Sequence, residues 1–121
     1  GAVPTLASGT YTPTLTNVSN VSFSLSSTAR WTRIGDQIHV SGRCSIDPST
    51  TATLTEWGVS LPVASNFAAN SEASGVAVGD LSDESPAHGY ADYTNDRMHF
   101  IAYPVSTSQH TYSYEFTYTV I

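Results

Sequence analysis

One segment near the end of the chain carries side chains that could bind a ligand: Tyr90, Asp92, Arg97, His99 and Tyr103. They lie in two short alternating runs separated by Asn95-Asp96, a typical turn sequence. A two-residue turn there would place all five on one face of a hairpin, with Asp92 opposite His99. Aromatic rings beside planar hydrogen-bonding groups often hold a sugar ring. A subunit interface and a plain solvated surface are the other two interpretations of the same residues.

The same register makes two further predictions about this hairpin. Its other face would be apolar, with Ala91 opposite Phe100 and Tyr93 opposite Met98. A paired Asp92 and His99 should favour the charged imidazole, so their interaction should weaken as the pH rises past the histidine pKa.

Other reactive side chains do not show the spacing that their chemistry needs. The four histidines lack the H-x-x-x-H and H-E-x-x-H patterns of zinc sites, so we expect no metal and no other cofactor. Oxygen-rich loops can hold calcium, and one segment collects Asp80, Asp83, Glu84 and His88. It lacks the alternating ligand spacing of a calcium loop, and we interpret it as a solvated acidic loop.

Catalysis has two candidate arrangements, and neither is complete. Asp92 and Glu115 could form the carboxylate pair of a glycosidase if their strands were neighbours. Cys44 lies on the apolar side of its run, whereas His39 has the opposite parity and points away from it. We therefore predict that Cys44 is a buried core residue and that the protein is not an enzyme.

The composition excludes one class of function and suggests where the protein works. The chain of 121 residues has four Lys+Arg, all arginine, against ten Asp+Glu, a net charge of −6. Nucleic-acid binding needs clustered positive charge, so that class is excluded. More than a quarter of the residues are Ser or Thr, which is common in extracellular and viral β-structures. No apolar run is long enough to insert in a membrane.

Alternation with a period of two runs through almost the whole sequence and predicts an all-β protein. Strand-like runs fall at 10–16, 21–27, 28–34, 37–46, 53–61, 74–81, 87–94, 97–104 and 110–121. Eight or nine short strands at this spacing predict a jelly-roll-like antiparallel β-sandwich. We expect residues 10–121 to form one domain and residues 1–9 to be a lead-in linker, with a possible cloning scar at residues 1–2.

Three features of the sequence allow more detailed predictions. The last run alternates aromatic residues with hydroxyls and one glutamate, so the aromatic side should face the core, or else a neighbouring subunit. Trp57 is expected in the core, with an interface or a ligand site as alternatives. A turn at Gly35-Asp36 predicts a hairpin in which Arg33 faces Ile38, Thr32 faces His39, Trp31 faces Val40 and Arg30 faces Ser41.

Three stretches resemble a C-terminal domain of tailed-phage and prophage fibres, tailspikes and related virion proteins. They are GTYTPTLTNVSNV (9–21), WTRIGDQIHVSGRCSIDPST (31–50) and WGVSLPVASNF (57–67). The resemblance covers residues 9–79, and the remaining residues match only in character. It implies a compact β-sandwich at the tip of a fibre, joined to an upstream shaft and assembled as a homotrimer.

This resemblance sets the expected function. We expect a non-catalytic fibre-tip domain on the virion surface that binds a host cell-surface carbohydrate. Two alternatives stay open: a trimerisation or capsid-decoration domain without a ligand, and a glycan-cleaving enzyme. The motifs look structural and assign no binding residue, so Tyr90, Asp92, Arg97, His99 and Tyr103 are nominated from their own chemistry.

Overall fold

The computed structural model describes residues 6–80 and 86–120, and nearly all of this part is antiparallel β-sheet. The strands are β1 Leu6–Tyr11, β2 Leu15–Ser19, β3 Val21–Ser26, β4 Ala29–Ile34, β5 Gln37–Pro48, β6 Thr55–Val59, β7 Ala73–Gly79, β8 Ala87–Asp92, β9 Arg97–Ala102 and β10 His110–Thr119. A 3-10 turn spans Asn70–Glu72. The all-β antiparallel prediction is confirmed.

The strands form one sheet in the order β1-β4-β5-β10-β7-β8-β9-β6-β2, with β3 also paired to β5. The sheet curls into a half-barrel, so its two halves face each other across the core as the layers of a sandwich do. The rings of Trp57 on β6 and Tyr112 on β10 lie 5.4 Å apart across this core. Near the ends of the curl, the Ser24 hydroxyl of β3 donates to the Asn17 side chain of β2 at 2.6 Å. The particular jelly-roll connectivity stays a prediction.

The aromatic side of the last strand lies in the core, as the alternation predicted. On β10 the side chains of Tyr112, Tyr114, Phe116 and Tyr118 are at most 2% exposed. The intervening residues are exposed or only partly buried. Trp57 and Cys44 are also core residues, each 1% exposed. Burial raises the pKa of the Cys44 thiol to about 12, so the thiol is protonated and unreactive at neutral pH.

The hairpin of β4 and β5 has the predicted register. Arg30 pairs with Ser41, Trp31 with Val40, Thr32 with His39 and Arg33 with Ile38. The turn fits because Gly35 adopts a positive φ of 61°, which glycine accepts without strain. Arg33, beside the turn, donates from its Nε to the Gly35 carbonyl at 2.7 Å.

The predicted register of the second hairpin was wrong by two residues. Asp92 faces Arg97, Tyr90 faces His99 and Ala91 faces Met98, so the connection has four residues, 93–96. The longer turn is held by Asp92, whose carboxylate accepts from the Asn95 backbone at 3.2 Å and from the Asn95 side chain at 3.0 Å. Tyr93 therefore lies in the turn, 53% exposed, and not on the apolar face.

The first two strands differ from the predicted run and from the predicted linker. The predicted run 10–16 divides around Pro13, which cannot donate to a sheet and lies between β1 and β2. Strand β1 begins at Leu6 and pairs with β4, so residues 6–9 of the expected linker belong to an edge strand. Residues 1–5 lie outside the described residues. The division into a lead-in and one domain stays a prediction.

Candidate functional site

Four of the five nominated residues meet on the outer face of β8 and β9. Tyr90, Asp92, Arg97 and His99 line one depression of about 350 Å³, together with Val18, Asn70 and the turn residues 93–95. We call this depression the aromatic patch. Tyr103 is not among its lining residues, because it follows the end of β9 and is 55% exposed.

The centre of the aromatic patch is a pair of stacked rings. Tyr90 and His99 are cross-strand partners, and their ring centroids lie 5.1 Å apart at an angle of 27°. Burial raises the pKa of the Tyr90 hydroxyl, and the nearby carboxylates of Glu56 and Asp92 raise it further. The hydroxyl is therefore protonated at neutral pH and available as a hydrogen-bond donor.

His99 pairs with Glu56, not with Asp92 as the sequence had suggested. Its Nε2 lies 2.9 Å from the Glu56 carboxylate, and both side chains are mostly buried. The contact forms because β6 runs beside β9, with Gly58 opposite His99. Glu56 is thus a site residue that the sequence reasoning missed. Its parity, opposite to that of Trp57, placed it on the outer face, but nothing local indicated that β6 neighbours β9.

Arg97 is the cation of the patch and is held on two sides. Its Nε donates to the Asp92 carboxylate at 3.0 Å. Its side chain also lies over Gly58, where a Cβ would come within 2.6 Å of Nε. A larger residue at position 58 would therefore push the guanidinium away, so the glycine fixes the place of Arg97.

The pKa of Asp92 is lowered, as expected for a carboxylate that stabilises the structure. Burial alone would raise its pKa, but hydrogen bonds from Asn95 and the ion pair with Arg97 outweigh burial and lower the pKa. A general acid needs the opposite shift. Glu115, its suggested partner in a glycosidase pair, lines other depressions on the sheet and not the aromatic patch.

Within residues 6–80 and 86–120, no group of three His, Cys, Asp or Glu side chains is arranged to hold a metal ion. Asp80 of the acidic segment forms an ion pair with Arg43, and Asp83 and Glu84 lie outside the described residues. In the described ranges there is also no helix of the length and apolarity that crossing a membrane would require.

Comparison with known proteins gives one informative similarity. The fold is similar to that of the reovirus attachment protein sigma1, whose crystal structure contains alpha-2,3-sialyllactose. The TM-score is 0.61 at 14% identity, over 95% of this chain. The matched region covers 66% of the chain in that crystal structure, just under two thirds. No protein-family model and no curated protein matches the sequence. The chain therefore shares the fold of a viral attachment protein.

Proposed function

We propose that this protein is a non-catalytic attachment domain that binds cell-surface carbohydrate from the surface of a virion. The observation that carries the proposal is the aromatic patch. There a stacked Tyr90–His99 pair adjoins the carboxylates of Glu56 and Asp92 and the guanidinium of Arg97. A sugar could stack its C–H face on the aromatic surface and exchange hydrogen bonds with the surrounding charged groups.

Two further observations support this function. The fold is shared with a viral attachment protein that was crystallised with a glycan, so this scaffold is compatible with glycan binding. A glycosidase needs a general acid with a raised pKa, whereas the pKa of Asp92 in the patch is lowered. A binding site without catalysis is the simplest function of such a surface.

The more specific part of the proposal, the phage fibre tip and its trimer, comes from the sequence. The stretches at 9–21, 31–50 and 57–67 resemble the tip domains of phage and prophage fibres. We therefore propose a homotrimeric fibre tip, joined to an upstream shaft and exposed on the phage particle. Host glycan, shaft and neighbouring subunits would be its partners.

An alternative function is trimerisation or capsid decoration without a ligand. It is favoured by Leu6 on the edge strand β1 and its cross-strand partner Ile34 on the neighbouring strand β4, which are 71% and 64% exposed. An exposed apolar pair beside a free strand edge is typical of a surface that another chain covers. This surface and the aromatic patch lie at different places on the sheet, so both functions could coexist.

A glycan array tests the proposal. The purified chain should bind a subset of surface glycans, and Tyr90→Ala should weaken that binding at least tenfold, about 1.4 kcal/mol. Tyr103→Ala is the matched control, because it removes a half-exposed tyrosine outside the patch and should bind like the parent. Circular dichroism of each variant verifies the fold. Absence of any bound glycan, or unchanged binding by Tyr90→Ala, would contradict the proposed site.

A further inference from the structure

A second depression, larger than the aromatic patch, lies on the other half of the sheet. It has a volume of about 540 Å³ and runs over the outer face of β4, β5, β10 and β7. Its lining includes Arg30, Ser41, Arg43, Val76, Val78 and Glu115. We call it the outer groove. None of these residues was nominated as a ligand-binding residue from the sequence.

The outer groove exists because two strands share one edge of β5. Strand β3 pairs with β5 as far as Cys44, and β4 pairs with it from Ser41, so neither covers Gly42 or Arg43. The connecting residues Ser27 and Thr28 pass beside this break and line the groove. The position of the groove is therefore set by the strand order, and the connection of β3 to β4 forms part of its wall.

A buried hydroxyl lies at the base of this break. Tyr114 is 1% exposed and lines the groove, and its hydroxyl lies against Gly42, where a Cβ would approach it to 2.6 Å. Within the described part of the chain, this hydroxyl has no hydrogen-bond partner. The break in the sheet thus brings a buried hydroxyl of the core next to Gly42, at the edge of the groove.

The charge distribution selects the kind of ligand. Three of the four arginines are engaged: Arg33 with Asp36, Arg43 with Asp80 and Arg97 with Asp92. Arg30 is exposed and forms no ion pair with any described carboxylate. In an acidic protein, the cation left without a carboxylate among the described residues thus lines the outer groove. A planar guanidinium binds a carboxylate through two parallel hydrogen bonds.

The remaining lining fits a sugar. Ser27, Thr28, Ser41 and Ser113 offer hydroxyls, and Glu115 offers an acceptor. Val76 and Val78, 56% and 61% exposed, offer an apolar wall for the C–H face of a ring. The volume is within the range of about 300–1,000 Å³ that is usual for small-molecule sites.

We propose that the outer groove is a second carbohydrate site, specific for a sugar that bears a carboxylate, with Arg30 as the partner of that carboxylate. The inference rests on the proposed function, since it assumes that the protein binds glycans. It adds a location, a ligand class and a specificity residue that the aromatic patch does not supply.

The test uses the whole chain and paired probes. Oligosaccharides that contain glucuronic, galacturonic or N-acetylneuraminic acid are each compared with their carboxyl-reduced form by calorimetry or on an array. At least one acidic member should bind ten times more tightly than its reduced form. Arg30→Gln should remove this preference, and Arg30→Lys should restore only part of it, because lysine keeps the charge but loses the planar fork.

Arg33→Gln is the control, because it makes the same change in net charge at an arginine that pairs with Asp36 outside the groove. It should keep the preference for acidic sugars. Equal binding of acidic and reduced sugars, or an unchanged preference in Arg30→Gln, overturns the proposal. If Tyr90→Ala abolishes all sugar binding while Arg30→Gln changes nothing, the attachment function stands and only the second site fails. If no sugar binds at all, both proposals fail.

Discussion

The tyrosines of β10 are all buried, but their hydroxyls differ in the hydrogen bonds that they form. The Tyr118 hydroxyl donates to the Val63 carbonyl at 2.7 Å and accepts from the Val63 backbone N–H at 3.2 Å. The Tyr114 hydroxyl has no such partner in the described residues. All the buried aromatic rings of β10 therefore contribute to packing, but only some of the tyrosine hydroxyls form hydrogen bonds.

This difference predicts opposite effects of one conservative substitution. Tyr118→Phe should lower the free energy of unfolding by about 1–3 kcal/mol, because the substitution removes a hydroxyl that serves a backbone donor and a backbone acceptor. Tyr114→Phe should leave stability unchanged or raise it by up to about 1 kcal/mol, because it removes an unpaired buried hydroxyl. Urea unfolding followed by tryptophan fluorescence measures both. A loss in Tyr114→Phe as large as in Tyr118→Phe would mean that the Tyr114 hydroxyl is bonded.

At the scale of strands and hairpins, the sequence was informative where a turn had one good interpretation. The β4–β5 register followed from Gly35-Asp36 because a glycine with positive φ closes a two-residue turn. The β8–β9 register did not follow from Asn95-Asp96. There Asp96 accepts hydrogen bonds from the backbones of Ser65 and Phe67 at 3.0 and 3.1 Å, and so serves a distant loop. Such a contact cannot be seen in a local pattern.

An error of two residues preserves parity, and this explains why the predicted face is right although the predicted partners are wrong. Tyr90, Asp92, Arg97 and His99 were placed together on the outer face, where the structure has them. Their partners were not predicted, because the pairing of Asp92 and His99 depended on the register. Predicting faces is thus easier than predicting contacts, since a face depends only on odd or even position.

The β8–β9 turn should be sensitive to acid through Asp92. Its pKa is lowered in the folded state, so its charged form stabilises the fold above the unfolded-state pKa of about 4. That contribution should disappear as the pH falls below about 4 and the carboxyl becomes protonated. The measurement is the difference in unfolding free energy between the parent and Asp92→Asn from pH 7 to pH 2.5.

The difference should be about 1–3 kcal/mol at pH 7 and should shrink in acid. Asp36→Asn is a suitable control, because Asp36 lies 3.8 Å from Arg33 and its side chain is 76% exposed. It should show a small difference at every pH. A difference for Asp92→Asn that did not change with pH would show that the carboxylate charge does not stabilise the turn.

At the scale of the whole molecule, the strand order could not be predicted from the sequence. Strand β6 neighbours β9, and β10 lies between β5 and β7, all through partners distant in the chain. Both proposed sites depend on this order. The pairing of β6 with β9 brings Glu56 to His99, and the shared edge of β5 opens the outer groove. Local alternation determines which side chains are exposed to solvent. It does not determine which exposed side chains come into contact.

The last prediction concerns assembly, where the proposed fibre tip and a stand-alone binding module differ. Light scattering at micromolar concentration should give about three times the chain mass of 12.9 kDa. If the exposed pair of Leu6 and Ile34 is the surface that another subunit covers, Ile34→Asp should shift the mass toward that of a monomer. Val105→Asp, at a valine that is 51% exposed after β9, should leave the mass unchanged. A parent chain that is monomeric at every concentration would contradict the homotrimer. Sugar binding would then have to be complete within one chain, through the residues that line the aromatic patch and the outer groove.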